Sequence, residues 1–435
     1  MTPRRQLVSL LGSAEFARAY ALTALAAAFM SFLIERLMSP VTLATILAIL
    51  AMIGIGMLVA RRDELTLLRL APTSLLAFVA LALISVLWSS DRSDTLAGWL
   101  TLLGYAIIAI TIGHVRDTLQ TVRAIGDTLR WLLTVSLALE IVSGVLLDTP
   151  FSVLGITGEL ATGGPIQGIF GTRNMLGFIA VIALITFVIE WRTQSITRLV
   201  GILSVALGGF LALLSASPTV LVLAAAVGVA TIALTIVRHT APARRATAQW
   251  VLGALVAGAL AIAIALRHQI IRLLDAGSDF STRADLWNLI LDFVAQNPVM
   301  GYGWFGPWAR GEYPFTYINF LLDDHHRSAL NAYFDVLLQL GWVGLALFLI
   351  MGAVAVVRSW LVASVRRSVV YAWTPLVLVT LAVDSMFESF TLTGIGWMLL
   401  VLCLLRAGQS RSWRENIDAA HTGAVPTLRP QRGDG

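Results

Sequence analysis

No lysine occurs anywhere in the 435 residues, so all 30 basic residues are arginine. That absence removes a phosphate-loop lysine, a Schiff-base lysine and a lysine general base together. The single cysteine, Cys403, lies in an apolar run near the C-terminus, which excludes disulfides and cysteine-built metal or cluster sites. Charge is scarce as well: 13% of residues are charged and 58% are apolar, where soluble domains carry about a quarter charged. A water-soluble enzyme of this length cannot hide so much apolar side chain, whereas a bilayer can. The net charge of +5 therefore reads as a marker of membrane sidedness and not of a nucleic-acid partner.

What is present are apolar runs. A spanning helix needs about 20 mostly apolar residues, and twelve runs qualify, near Ala17–Leu37, Val41–Ala60, Pro72–Trp88, Thr95–Gly113, Leu129–Leu147, Met175–Trp191, Leu199–Ser215, Thr219–Val237, Trp250–Leu266, Tyr333–Val356, Val369–Met386 and Thr391–Leu405. The expected fold is an all-α polytopic bundle of about 12 transmembrane helices over residues 1–407. With the N-terminus inside, 22 of the 30 arginines fall on inward segments, and five of the eight outward ones share one loop. This asymmetry predicts both ends inside. The outward loop, Arg267–Ala332, far exceeds ordinary connection lengths and is expected to carry function. A second, glycine-rich outward loop runs from Asp148 to Asn174. Residues 408–435, polar and containing Pro426 and Pro430, read as a disordered cytoplasmic tail.

The long loop holds the chemistry-bearing residues. Thr282 reads as a helix N-cap with Asp285 three residues on, followed by apolar Leu286, Leu289, Ile290, Phe293 and Val294 and a stop at Asn297-Pro298. Arg283 and Trp287, four apart, share a face. Gly301-Tyr302-Gly303-Trp304-Phe305-Gly306-Pro307-Trp308 interleaves glycines with aromatics, which suit either sugar rings or the membrane interface. Asp323-Asp324-His325-His326-Arg327 supplies bases and an anion clamp, and Asn331 and Asp335 follow. Adjacent histidines on an extended segment point to opposite faces, so metal chelation there is disfavoured. In the shorter loop, Gly171-Thr172-Arg173-Asn174 places an arginine outward, against the positive-inside bias, with lipid headgroup binding as its other reading. Glu35, Glu140, Glu190 and Asp384 lie at helix ends or partly inside the runs.

These segments resemble the O-antigen ligase and polysaccharide polymerase superfamily, most closely its exopolysaccharide polymerase branch, over roughly residues 80 to 350. Ser85-Val86-Leu87-Trp88-Ser89 before Asp91 is similar to its Trp-Ser-x-Asp signature, and Gly168 to Gly177 to its basic-Asn-x-x-Gly signature. Thr282 to Trp287, with Asn297-Pro298 and Gly301-Tyr302-Gly303, resembles its Gly-Arg-x-x-x-Trp, x-Pro and Gly-x-Gly series. Asn331-Ala332-Tyr333-Phe334-Asp335 and Leu338 to Gly344 resemble its His-Asn-x-Tyr-Leu and Glu-x-Gly-x-x-Gly ending. Two positions depart. Leu330 stands where relatives carry histidine, leaving His326 to supply an imidazole. Ser217-Pro218-Thr219 lacks an arginine that many relatives carry.

The resemblance implies glycosyl transfer from a polyprenyl-diphosphate-linked oligosaccharide to a glycan acceptor, on the outer face of a bacterial cytoplasmic membrane. Arg283 and Arg173 are then the diphosphate clamp. His326, with His325 second, is the base, and Asp324 or Asp323 is its orienter or substitute. Asn174, Trp287, Asn331, Tyr302 and Trp304 are expected to bind substrate. No Asp-rich metal motif appears and bond energy comes from the glycosyl diphosphate, so no cofactor or metal is expected. A chain-length regulator and a flippase are expected partners. The rival class is a glycan-lipid flippase or another 12-span transporter. Against it, Ala60-Arg61-Arg62-Asp63-Glu64-Leu65 does not fit a transporter's cytoplasmic signature, and the long outward loop favours chemistry over passage. Topology is testable directly. A cysteine at Ser278 should label from outside and one at Ser410 should not; the reverse pattern would move the candidate site to the opposite face.

Overall fold

The computed structural model describes residues 3–62, 70–265 and 278–409, and nearly all of them outside the connections are helical. In chain order the helices are α1 (Pro3–Leu11), α2 (Ala14–Phe29), α3 (Ser31–Leu37), α4 (Pro40–Ala60), α5 (Thr73–Ile84), α6 (Arg92–Val115), α7 (Thr118–Ile141) and α8 (Arg173–Arg192). They continue with α9 (Arg198–Leu214), α10 (Pro218–His239), α11 (Pro242–Ala265), α12 (Ser278–Gln296), α13 (Phe315–Leu322), α14 (Ala332–Val365), α15 (Trp373–Asp384) and α16 (Gly394–Gln409). The protein is thus an all-α polytopic membrane bundle. Every one of the twelve apolar runs lands on helix. By length and composition, six helices are able to cross a membrane among the described residues, and a seventh if α2 and α3, bent by 67° at Met30, count as one span. The runs at Thr73–Leu87, Arg198–Leu214, Val369–Asp384 and Gly394–Gln409 form shorter apolar helices. Residues 266–277 of the long loop and the tail from Ser410 lie outside the described residues.

The helix of the long loop begins at Ser278, a turn ahead of the cap expected at Thr282. Nothing in Asp279-Phe280-Ser281 forbids helical backbone, and a helix that has paid its nucleation cost extends until something stops it. The expected face holds: Arg283 and Trp287 both reach the segment Ala329-Leu330.

Short α16 is buried at every residue from Ile395 to Leu405, the signature of a helix apolar all round and placed centrally. Ends that the arginines assign to one side meet in space. At one end, Arg406 donates to the Arg116 carbonyl at 2.7 Å and Arg61 to the Gly12 carbonyl at 2.9 Å. Arg130 there binds Glu190 at 2.7 Å. At the other end lie α12, α13 and the loops beside them.

How the long loop is held there explains its glycines. Helix α14 breaks at Gly341, whose φ of 65° and ψ of −167° are closed to side chains of ordinary kind. The break frees the carbonyls of Leu338 and Gln339, and loop N–H groups take them: Tyr302 N donates to Leu338 O at 3.1 Å and Gly303 N to Gln339 O at 2.8 Å. Trp342 N donates to Pro298 O at 2.8 Å on the far side of the break. A Cβ at Gly341 would meet Val299 O at 2.3 Å, and one at Gly303 would meet Ser89 at 2.7 Å. The Trp88-Ser89 segment closes the clasp. Trp88 Nε1 donates to Met300 O at 3.2 Å, and Ser85 Oγ accepts from Trp304 N at 2.9 Å. Three motifs far apart in sequence thus form one backbone junction.

Beyond it the loop has its own apolar core, Leu286, Ile290, Phe293, Tyr302, Phe305, Trp308, Phe315, Ile318 and Leu337 among others. Asp335 is fully enclosed and ties this core to the bundle. It accepts from Trp308 Nε1 at 2.6 Å, from Ala329 N at 3.0 Å and from the Ser389 hydroxyl. Gly341→Ala should destabilise the protein by at least about 2 kcal/mol through strain and backbone collision. Gly352→Ala, also in α14 but with open space around it, should be neutral or slightly stabilising. Thermal unfolding in detergent separates the two; equal midpoints would show that the junction contributes nothing to stability.

Candidate active site

Four separated segments converge on Glu388, in the short connection between α15 and α16. Glu388 Oε1 accepts from Arg283 at 3.0 Å and from Asn174 Nδ2 at 2.7 Å. Arg283 also donates to the Leu330 carbonyl at 3.2 Å and to the Phe387 carbonyl. Asn174 stands in the first turn of α8, which Thr172 caps by accepting from Met175 N at 3.1 Å. Its Oδ1 accepts from Ser217 Oγ at 2.7 Å, so the amide has a donor on one side and an acceptor on the other. Ser217 is the cap position of α10, and Pro218 takes the first helical position, where a missing N–H costs nothing. The Ser217 hydroxyl orients Asn174.

The turn leading to Asn174 is itself anchored: Glu140, buried in α7, accepts from Gly168 N at 2.8 Å. Arg173 follows the cap directly and engages its own surroundings. Asn331 is spent on the fold. Its Oδ1 caps α14 by accepting from Tyr333 N and Phe334 N, and its Nδ2 donates to Met386 O at 2.9 Å. Expected to bind substrate, it is a positioning residue here. Trp287 donates Nε1 to Ala329 O at 2.8 Å and stacks one ring face on Phe334, with centroids 5.5 Å apart.

Tyr302 and Trp304, read as candidate sugar platforms, are packed inward. Trp304 is 1% exposed against Phe78, and the Tyr302 hydroxyl donates to Phe293 O at 3.0 Å. A buried ring has no face to offer a sugar, so both are withdrawn from the site. The glycines that frame them are needed for the junction with α14, which draws the intervening aromatics into the core.

His326 lies 3.1 Å from Asp324 through Nε2, which is closed to solvent. Its backbone is pinned by reciprocal bonds with Asn319: the main-chain N–H donates to Oδ1 and the carbonyl accepts from Nδ2, each at 2.9 Å. Burial lowers the imidazole pKa below its ordinary 6.5, opposed by the Asp324 carboxylate and aided by Arg283, whose charge is within reach. His325 is exposed and turned away, its N–H capped by Asp324 Oδ1 at 2.6 Å. The Glu388 carboxyl is raised by burial and pulled back by Arg283 and Asn174. Among the described residues, no group of three or more His, Cys, Asp or Glu side chains is placed to hold a metal.

Glu388 and Ser217 were not expected. Glu388 is the one acid in a short connection between two apolar runs, and that isolation was the available signal. Ser217 stood in the sequence only as the residue before Pro218, where the arginine is missing.

An α-helical membrane bundle thus carries an ordered loop module, with the Arg283 guanidinium, the Asn174 amide and the Glu388 carboxylate joined beneath it. A family model described as O-antigen ligase matches residues 203–349, a stretch that contains Ser217, Arg283, Trp287, His326 and Asn331. Over that stretch the chain is similar to the O-antigen ligase family, which supports kinship with the O-antigen ligase and polysaccharide polymerase superfamily. No curated protein matches the chain. Asn174 and Glu388 lie outside the matched stretch, and only the tertiary structure attaches them to it.

The Arg283–Glu388 pair is partly buried, at 16% and 7% exposure. Removing one member strands the other, at about 2–3 kcal/mol for a charge-assisted bond. Glu388→Ala and Arg283→Ala should each destabilise, and the double variant should cost less than their sum. Additive losses in thermal unfolding would mean that the pair is not coupled.

Proposed function

We propose that this protein is a glycosyltransferase that joins polyprenyl-diphosphate-linked glycan repeats on the outer face of a bacterial cytoplasmic membrane, as an exopolysaccharide polymerase. The observation that carries the reading is Arg283, fixed by Glu388 and the Leu330 and Phe387 carbonyls. The family similarity supports the reaction type, ligase or polymerase chemistry on lipid-linked glycans. The resemblance noted in the sequence supports the polymerase branch, and the arginine asymmetry supports the outward-facing site.

In the proposed step an acceptor hydroxyl oxygen attacks the anomeric carbon of the donor. The new glycosidic C–O bond forms as the anomeric C–O bond to the diphosphate breaks, and the polyprenyl diphosphate departs with the bonding pair. Arg283 has five N–H donors, three of them used in the bonds above, and with Arg173 it meets the charge growing on the leaving diphosphate. His326 takes the hydroxyl proton. A proton on Nε2, facing Asp324, leaves the Nδ1 lone pair as the base, so Asp324 sets the tautomer. His325 is assigned no step. Asn174, held between Ser217 and Glu388, keeps Arg283 and the start of α8 in register.

Purified protein in liposomes with a polyprenyl-diphosphate oligosaccharide tests this. Arg283→Ala should abolish joining, and Arg283→Lys should remain poor because the planar fork is lost. His326→Ala should lose about 10² to 10⁴ in rate, while His325→Ala stays active. For the wild type, the neutral base is lost as pH falls through its pKa, so activity should decline below 6.5, with that limb absent in His326→Ala. Wild-type rates in Arg283→Ala would overturn the proposal, and passage of lipid-linked glycan across the bilayer without joining would make the protein a transporter.

A further inference from the structure

A cavity of about 350 Å³ opens beside the proposed reaction centre, where α3 meets the loop before α8, and no role has been given to it. Its walls include Phe32 and Arg36 of α3, Thr157, Glu159 and Gln167 of the loop, and Gly171. It is a built feature. Arg36 clamps the loop by donating from Nε to Val153 O at 3.1 Å and from Nη2 to Ser152 O at 2.5 Å, with its guanidinium 5.7 Å from the Phe32 ring centre. Gln167 closes the other side by donating to the Gly155 carbonyl. Gly171, at φ 89°, lies against Phe32 so closely that a Cβ would approach its ring to 2.6 Å.

The lining decides what fits. One guanidinium, one carboxylate, one amide and the hydroxyls of Ser152 and Thr157 surround an aromatic edge. An anion is opposed by Glu159, a cation by Arg36, and an apolar guest would strand every polar group. A neutral polyhydroxylated ring satisfies all of them, since hydroxyls both donate and accept. The volume is at the small end for ligand sites, a size for one or two sugar rings.

The cavity also adjoins the segment that carries Asn174, since Gly171 in its wall stands three residues before that amide. We propose that this cavity is the acceptor glycan subsite, holding a neutral sugar of the chain beyond the reacting one; this rests on the glycosyl-transfer reading above.

Glu159→Ala and Thr157→Trp test it, the first removing the carboxylate and the second filling the space. Neither side chain holds another part of the fold among the described residues. The probe is the water-soluble oligosaccharide repeat stripped of its lipid, used both as acceptor in liposomes and as ligand in direct titration. Both variants should raise the acceptor KM at least tenfold with kcat within twofold, because binding away from the reacting atoms is lost equally from ground and transition states. Titration should show the same tenfold weakening. Unchanged KM and affinity in both variants, with wild-type transfer intact, would overturn the subsite and leave the reaction standing. Binding of the repeat by wild type, weakened in the variants but without any transfer, would keep the subsite and overturn the reaction.

Discussion

Two backbone carbonyls, freed where α14 breaks at Gly341 and accepting from the N–H groups of Tyr302 and Gly303, hold the site end of this protein together. Unpaired carbonyls in an apolar setting cost several kcal/mol each, so the break is stable only with the loop seated in it. The loop in turn keeps its shape because its aromatics are drawn inward, with Trp308 bonded to Asp335 and Trp304 packed on Phe78. From this junction the rest follows: α12 lies against α14, and the Ala329–Asn331 turn presents the Leu330 carbonyl to the Arg283 guanidinium and the Ala329 carbonyl to Trp287.

The second constraint is electrostatic. Arg283 and Glu388 are both largely withdrawn from water, and a partly buried charge persists only when paired and hydrogen-bonded. Glu388 therefore fixes where the guanidinium sits, and Asn174 and Ser217 fix where Glu388 sits. Such pre-set geometry is what electrostatic stabilisation of a leaving diphosphate calls for, since donors already in place need no reorganisation as charge develops. At His326 burial works in the other direction, lowering the imidazole pKa against the pull of the Asp324 carboxylate 3.1 Å away.

Composition and the apolar runs determined the fold class by themselves, because a bilayer imposes a length and an apolarity that can be counted along the chain. The spacing also put Arg283 and Trp287 on one helix face, and both reach the Ala329–Leu330 segment. What the motifs meant was less legible. Gly-Tyr-Gly-Trp suggested an aromatic surface, yet the glycines serve close backbone approach, and Asn331 caps a helix with the amide that seemed free for a ligand.

Tertiary structure alone decided the partners. Glu388 lies 105 residues from Arg283 and 214 from Asn174, and no local pattern joins positions so far apart. Their meeting depends on how α8, α10, α12 and the α15–α16 connection pack, which depends in turn on side-chain shape and on a helix broken at one glycine. Periodicity along a chain reports which face of a helix is apolar, but not which other helix will cover it. The sequence by itself therefore determined that this is a membrane bundle with a polar loop module. Packing decided which carboxylate holds the arginine, which aromatics are core, and where a cavity of sugar size remains open.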